Sequence, residues 1–394
     1  MADLGMIPLC QSFTEECDLQ CGEMFYPLRV NVCLHCGYAG LPAYVSKEEI
    51  FSEYAYFSSM SASWVEYVRS SVDSLAEEFH LDAASQVVEM ASNDGYLLQF
   101  FVAKGIPVLG VEPARNVAKV ANEKGVPTLA EFFNRRTALE LLDQGKGADL
   151  LLAYNCLDHV PDLHDVVAGM KLLLTPRGVI QVELPYLDAM VEWNQFDTIY
   201  HDRYSYFSLM AAENLFDRHG LRVYDVTRIP THGGSLRLRV CHSEDSTRAV
   251  QPSVARLRND ETDRGMRTPG YYSLFMDQVA ATKRNLLEFL IETRRATRSI
   301  VGYGAPAKGN VLLNYCGIGS DFIEYLVDRN PYKCGKFAPG TRLEIRDVEE
   351  VRRTRPDLLF ILPWNIKEEI MSQMAYIRDW GGRFVVAIPQ VEIL

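Results

Sequence analysis

The stretch Thr198 to Leu209, TIYHDRYSYFSL, gathers three tyrosines, a histidine, an aspartate and an arginine within seven positions, Tyr200 to Tyr206. Side chains of these types take up, give up or stabilise protons. Carbon is not nucleophilic until a proton has been removed from it, so such a cluster suits the activation of a carbon acid. Polar donors must then hold the oxygen on which charge collects. An aromatic loop beside a domain seam would have the same composition, so the rest of the chain has to decide.

A second constellation lies near residue 90. VVEMASNDG runs from an apolar strand pattern containing Glu89 into a turn of small and polar residues, Ala91, Ser92, Asn93 and Gly95, and then into a helical pattern from Tyr96. Such a turn lets a ligand approach the backbone, and the helix start offers free N–H groups. It is not a GxGxxG. The next strand pattern, VLGVEP, ends in Glu112 and Pro113, and Glu112 lies 23 residues beyond Glu89, a usual separation for an acid that binds ribose hydroxyls. Asn155 and His159, in LLLAYNCLDHVPDL, stand just past another strand end. Phe132 and Phe133 share that placement, and these groups together outline a nucleotide cleft.

Further along, GYGAPAKGN follows an apolar run and precedes a helical pattern, so its backbone amides and Lys308 could cradle a diphosphate, with Lys333 and Lys336 adding charge. Five of the nine cysteines fall in the first 36 residues. Cys33 and Cys36 form CLHC, two thiolates at the spacing of half a tetrahedral zinc site. Cys17 and Cys21 in CDLQC offer a second pair. The scattered Cys156, Cys241, Cys316 and Cys334 read as inert buried thiols.

The elements that must position these groups are legible from periodicity. QVVEM, VLGVEP, DLLLAYN and GVIQVELP read as strands, and the stretches between them carry apolar residues at helical spacing. Strand–helix alternation implies a parallel, doubly wound sheet. The charged run Ser246–Gly270 breaks the rhythm and reads as a linker; a long helix follows, and then a second alternating unit built on SIVGYG, IEYLVDRNP, LLFILPWN and RFVVAIPQ. At 394 residues two or three domains are expected. A hydrophobic content of 48% with 23% charged residues is the balance of a globular enzyme. The net charge of −12 argues against nucleic acid as the main partner. No apolar run reaches membrane-spanning length and no signal pattern opens the chain, so no membrane partner and a cytoplasmic location are expected. A monomer and a homodimer are both compatible with the sequence.

Seven motifs, EMASNDGYLL, NCLDHVPDL, YHDRYSYFSL, THGGSLR, GYGAPAKGN, VDRNPYKCGKFAPGT and LPWN, occur in this order. As a series the chain resembles the S-adenosylmethionine (SAM)-dependent sugar C-methyltransferases of deoxysugar biosynthesis over essentially its whole length. The resemblance implies an α/β fold with a class I SAM methyltransferase core. It implies a cysteine-rich zinc-binding-like domain over residues 1–69, a SAM domain over 70–245, and a linker, helix and C-terminal Rossmann-like substrate domain over 246–394. The implied substrate is a nucleotide-linked 4-keto-6-deoxysugar, usually on dTDP, methylated at C-3 through an enolate. Substrate contacts are then expected from Tyr56, Tyr206, Gly234, Ser235 and Arg237, and from Lys308, Asn310, Arg329 and Lys333 in the last third of the chain.

Two departures from the family pattern matter. The family completes its zinc site with a second CxxC upstream of an LG..PL stretch. Here LGMIPL begins at Leu4, so either the chain is short at its start or Cys17 and Cys21 join Cys33 and Cys36 around one Zn2+ ion. The family also reads Tyr-His-Glu-His where this chain has Tyr200, His201, Asp202 and Arg203. The family's last histidine is its proposed base, and arginine, effectively always protonated, cannot replace it. Three accounts stay open: His201 or His159 takes the proton while Arg203 stabilises the enolate; the nucleophile is a hydroxyl, giving an O-methyltransferase; or the chain binds both ligands and does other chemistry.

Overall fold

The computed structural model describes residues 1–51 and 57–394. Strands β1 (Ala2–Pro8), β2 (Phe25–Val32) and β3 (Ala39–Gly40) open the chain as an antiparallel sheet. The central sheet follows with β4 (Val87–Met90), β5 (Val108–Val111), β6 (Thr128–Leu129), β7 (Ala148–Tyr154) and β8 (Leu174–Pro185), all parallel. Strand β9 (Ser205–Tyr206) leaves that sheet and pairs with β3 instead. The chain then returns through β10 (Leu221–Ile229) and β11 (Ser235–His242), which close the central sheet antiparallel to one another.

The central order is β10-β11-β8-β7-β4-β5-β6. From β4 the chain winds outward through β5 and β6 and then restarts on the other side at β7. This reversal opens a crevice at the carboxyl ends of β4 and β7, where doubly wound sheets bind ligands. Strands β4 and β7 are buried almost without interruption, as their unbroken apolar runs require when helices cover both faces. A second sheet of the same kind holds β12 (Ile300–Tyr303), β13 (Leu326–Val327), β14 (Ile345–Arg346), β15 (Leu358–Ile361), β16 (Arg383–Val386) and β17 (Glu392–Ile393). Its order, β14-β13-β12-β15-β16-β17, reverses between β12 and β15.

Three expectations need correction. The charged run Ser246–Gly270 is not a linker: it contains the helix Pro252–Asp263. Val254 and Leu257 of that helix join the core of the central sheet, and the buried Glu261 carboxylate accepts the Leu209 and Met210 N–H groups. Three buried side chains among many charged ones were too sparse to show in the composition. The helix after the VVEM turn starts at Leu98, not at Tyr96. The position 69/70 falls inside the helix Ala62–Glu78, whose Val68, Val72 and Leu75 pack on the central sheet.

The N-terminal sheet shares one core with the long helix Phe275–Arg295 and the C-terminal sheet. Asn310, buried, donates from Nδ2 to the Cys10 carbonyl at 2.8 Å and pins the end of β1 to the helix Ala307–Cys316. The three sheets therefore meet around one space.

Candidate active site

That space is a cavity of about 400 Å³. Its floor is the turn after β4. Ala91, Asn93 and Gly95 there have φ of 53°, 49° and 77°, a left-handed geometry in which their N–H groups go to the Val111 carbonyl, to Glu112 and to the Ser92 carbonyl. Glu112, at the end of β5, is buried, and its carboxylate accepts the N–H of Asn93 at 3.0 Å and of Ala114 at 2.9 Å. Burial pushes its pKa up to about 7, while those two N–H groups oppose the rise. Ala91, Asn93, Glu112, Pro113, Phe133 and Asn155 all line the cavity, as does Phe132, with the Lys47 ammonium 4.7 Å from its ring centre. Glu89, Ser92 and Gly95 lie behind this surface. Glu89 is fully buried, and burial holds its carboxyl well above the usual range.

The opposite wall comes from the 3-10 turn Leu157–His159 and the loop before β9. His159, Tyr200, Asp202 and Arg203 line the cavity. His159 Nδ1 is 2.6 Å from the carbonyl oxygen of Asp202. A carbonyl only accepts, so Nδ1 donates, and the neutral ring in this tautomer has its lone pair on Nε2. Two carboxylates stand near the ring, Asp158 Oδ2 at 3.6 Å from Nε2 and Asp202 Oδ2 at 4.0 Å from Nδ1. Arg203 Nε is 2.9 Å from Asp158 Oδ2, and its guanidinium lies 4.8 Å from the Tyr200 ring centre. Burial works against the arginine's charge, but Tyr200 and Asp158 outweigh it and hold the group more firmly protonated than usual. The cation at position 203 is thus held in a pair and permanently charged.

His201 is not in the cavity. Its ring lies edge-on to Tyr26 and Tyr44, with Nε2 3.3 Å from the Tyr26 carbonyl oxygen, inside the N-terminal sheet. Tyr200 to Arg203 form a tight turn closed by the Arg203 N–H on the Tyr200 carbonyl at 3.0 Å, and this turn brings Tyr200, Asp202 and Arg203 to the cavity while His201 faces the N-terminal sheet. Of the two histidines the sequence offered as base, only His159 is positioned for it.

The third wall is the start of the helix Ala307–Cys316. Lys308 and Lys333 both line the cavity. Lys308 Nζ donates to Asn365 Oδ1 at 2.7 Å and lies 4.6 Å from the Trp364 ring centre. Burial pushes its pKa down to about 8, against the pull of Asp197. Asp197 in turn accepts the Trp364 indole N–H at 2.7 Å. Lys333 Nζ donates to the Ala305 carbonyl at 2.9 Å.

Other expected substrate groups are engaged elsewhere. Arg237 donates to Glu183 Oε1 and to the Tyr67 hydroxyl, both at 2.7 Å. Asn310 holds Cys10, as described, and the Ser235 hydroxyl donates to the Thr231 carbonyl. Tyr206 is buried behind Arg203, Gly234 shapes a turn, Arg329 is exposed, and none of the three lines the cavity. Lys336 pairs with Glu15 at 2.9 Å. Tyr56 lies outside the described residues. Sequence reasoning missed His232, Trp64, Tyr154 and Asp158. His232 heads the Gly-Gly pair of THGGSLR, and Asp158 adjoins His159, so both had a signal; Trp64 and Tyr154 read as ordinary core aromatics.

The four-thiol zinc site does not assemble. Cys17 and Cys21 precede β2 and Cys33 and Cys36 follow it, and an eight-residue strand spans about 27 Å. The Cys21 carbonyl accepts from Arg342 on the C-terminal unit, whereas that of Cys36 accepts from Asn214. Among the described residues no three His, Cys, Asp or Glu side chains gather as a metal-ligand set.

Comparison with known proteins agrees with this layout. A methyltransferase-domain family matches residues 62–226, and a C-methyltransferase C-terminal domain family matches residues 230–389. Residues 1–51 match a family described, provisionally, as a zinc binding domain. The C-methyltransferase NovU of Streptomyces niveus is 35% identical over 394 residues, covering 100% of this chain and 94% of that protein. The chain belongs to this C-methyltransferase family. It is a SAM-dependent methyltransferase with the class I fold of that enzyme group. The ubiquinone biosynthesis O-methyltransferase of Pasteurella multocida is 28% identical over 118 residues, 27% of this chain and 48% of that one. A SAM-dependent methyltransferase structure from Clostridium acetobutylicum matches 45% of this chain and 92% of its own at 10% identity and a TM-score of 0.36. Among the described residues no helix is long and apolar enough to cross a membrane.

Proposed function

We propose that this C-methyltransferase acts on a nucleotide-linked 4-keto-6-deoxysugar, dTDP-linked in the first instance, and methylates C-3 through an enolate. One observation carries the reading: a single cavity is lined by the β4, β5 and β7 strand ends, by His159 with a free Nε2, and by two lysines at a helix start. SAM fits the first set, and when bound it supplies an electrophilic methyl group. Glu112 offers acceptor oxygens to ribose hydroxyls, the turn Ala91–Gly95 lets a ligand approach the backbone, and Phe132 and Phe133 offer apolar faces.

On the facing wall His159 takes the proton from the carbon that the neighbouring C-4 carbonyl acidifies. The Asp202 carbonyl holds Nδ1–H and so aims Nε2. The imidazolium formed is faced by Asp158 and Asp202. Arg203 balances Asp158 and adds positive potential where the enolate oxygen collects charge. Lys308 and Lys333 favour a diphosphate at the start of the helix Ala307–Cys316, where the helix dipole adds to their charge. An enzyme that consumes SAM and nucleotide sugars works where both are made, so the reading carries a cytoplasmic location with it.

The test is incubation with SAM and dTDP-4-keto-6-deoxyglucose, with mass and NMR detection. A gain of one CH2 bonded to carbon supports the reading. A methyl group only on oxygen, with no exchange of the carbon-bound hydrogen in D2O, overturns it in favour of O-methylation.

A further inference from the structure

A second histidine lines the same cavity, in surroundings opposite in charge to those of His159. His232 sits in the turn Thr231–Gly233, at the head of β11. Its backbone has φ 55° and ψ 20°, a left-handed conformation that residues with a Cβ rarely adopt. Four non-glycine residues with such φ line this one cavity: Ala91, Asn93, Asn155 and His232. Conformations of this kind persist where the surrounding structure enforces them, and they collect at functional sites.

The enforcement is visible in the two glycines that follow. Gly233 has φ 94°, and a Cβ there would stand 2.7 Å from the Trp364 ring. Gly234 has φ 118°, and a Cβ there would stand 2.7 Å from Ala189 Cβ. The turn is pressed between the central and C-terminal units, and the imidazole is directed to the space between them. The Trp64 ring meets it edge-on with centroids 5.0 Å apart. Nε2 is buried and has no hydrogen-bond partner within the chain.

We propose that His232 is a further catalytic residue: its imidazole N–H donates a hydrogen bond to the substrate oxygen that gains negative charge as the carbon-bound proton leaves. The inference rests on the carbon-nucleophile reading above and assigns a second group to it. As the proton passes to His159, the C–H electron pair becomes part of a C=C bond and the carbonyl π pair moves onto oxygen. His232 keeps its own proton throughout. The C=C pair then forms the new carbon–carbon bond to the methyl carbon as that carbon's bond to sulfur breaks and leaves its pair on sulfur, while the oxygen pair returns and the carbonyl is restored.

The division of labour follows from charge. His159 faces the carboxylates Asp158 and Asp202. His232 shares the cavity with the cations Lys308 and Arg203; burial first, and then these two charges, lower its pKa to about 4, with Asp158 pulling weakly the other way. A neutral imidazole next to cations is a poor base and a good N–H donor. Environments that push two like groups apart in this way are how one site separates its base from its electrophile.

The test uses the full-length protein, SAM and dTDP-4-keto-6-deoxyglucose, with two readouts: methyl transfer, and hydrogen exchange at the acidified carbon in D2O without SAM. His232→Phe is expected to lower both by about 10²–10³-fold, the usual effect of removing one oxyanion donor. SAM affinity by calorimetry stays within about threefold, which also shows that the variant is folded. His232→Asn keeps an N–H donor and tolerates left-handed φ, so it should recover at least about tenfold of the loss. Exchange and kcat near wild type in His232→Phe, with a changed KM alone, would overturn the assignment. So would an asparagine variant no better than phenylalanine. If the wild type itself neither exchanges nor methylates carbon, the carbon-nucleophile reading falls and this inference with it. Exchange in the wild type with no effect of the substitution sinks His232 alone.

Discussion

Glu112 links SAM binding to pH in a way that can be worked through. Its carboxyl is buried at 5% exposure, and the pKa stands at about 7 because burial outweighs the two N–H groups that support the charge. A ribose hydroxyl hydrogen-bonds better to the carboxylate than to the acid, so SAM binds best when Glu112 is ionised. If only the ionised form binds, affinity changes between pH 6 and pH 8 by the ratio of ionised fractions. For a pKa near 7 that ratio is about tenfold, or ~1.4 kcal/mol, with tighter binding at the higher pH. The stability of the SAM-free protein moves in the opposite direction. A carboxyl whose folded pKa is raised contributes stability fully present below about pH 4.5 and lost as pH rises through about 7. Glu112→Gln should abolish the pH dependence of SAM affinity and weaken binding at pH 8 by about 1–3 kcal/mol, since the amide loses charge and turns a donor toward a backbone N–H. Titration calorimetry across pH 6–8, in two buffers of different ionisation enthalpy, reads both the affinity and the protons released. A flat affinity in the wild type, or an unchanged slope in the glutamine variant, refutes the role of this carboxylate.

His159→Gln is expected to lower methyl transfer by about 10²–10⁴-fold with SAM affinity unchanged, the usual loss for a positioned base, whereas His201→Gln should leave the rate within a few-fold; steady-state kinetics with calorimetry distinguish them. Arg203→Ala leaves the buried Asp158 carboxylate unpaired and should destabilise the fold by about 3–5 kcal/mol, read as a shift in the denaturation midpoint. Arg203→His restores the family's usual side chain: a faster rate would mark the arginine as a handicap, and a slower one as the cation that supports the enolate. Replacing both Cys17 and Cys21 by serine, two exposed side chains, should change stability by no more than about 0.5 kcal/mol; a large loss of stability together with loss of bound zinc would show that the thiols converge after all.

The doubly wound core was legible in the sequence because its cause is local. Short apolar runs such as LLLAY, bounded by turn residues, read as strands covered on both faces, and the small turn after VVEM, with Glu112 at the next strand end, follows from how such sheets present a ligand to the backbone. The series of motifs carried the family, and with it the expectation of SAM and of a C-methyltransferase. What periodicity could not decide was which side chains share a space. Tyr200, His201 and Asp202 are neighbours in sequence, yet the turn closed between Tyr200 and Arg203 sends His201 into the N-terminal sheet and leaves His159, more than forty residues away, beside Asp202. Cys21 and Cys33 look like halves of one metal site until the strand between them is given its length. Glu261, in a run that reads as solvated linker, is buried because two N–H groups of another helix need an acceptor. His232 becomes a candidate for chemistry only because two glycines are pressed against Trp364 and Ala189. Spacing along the chain determines the elements, whereas the direction of each side chain depends on what another element requires of it, and only the assembled tertiary structure contains that information.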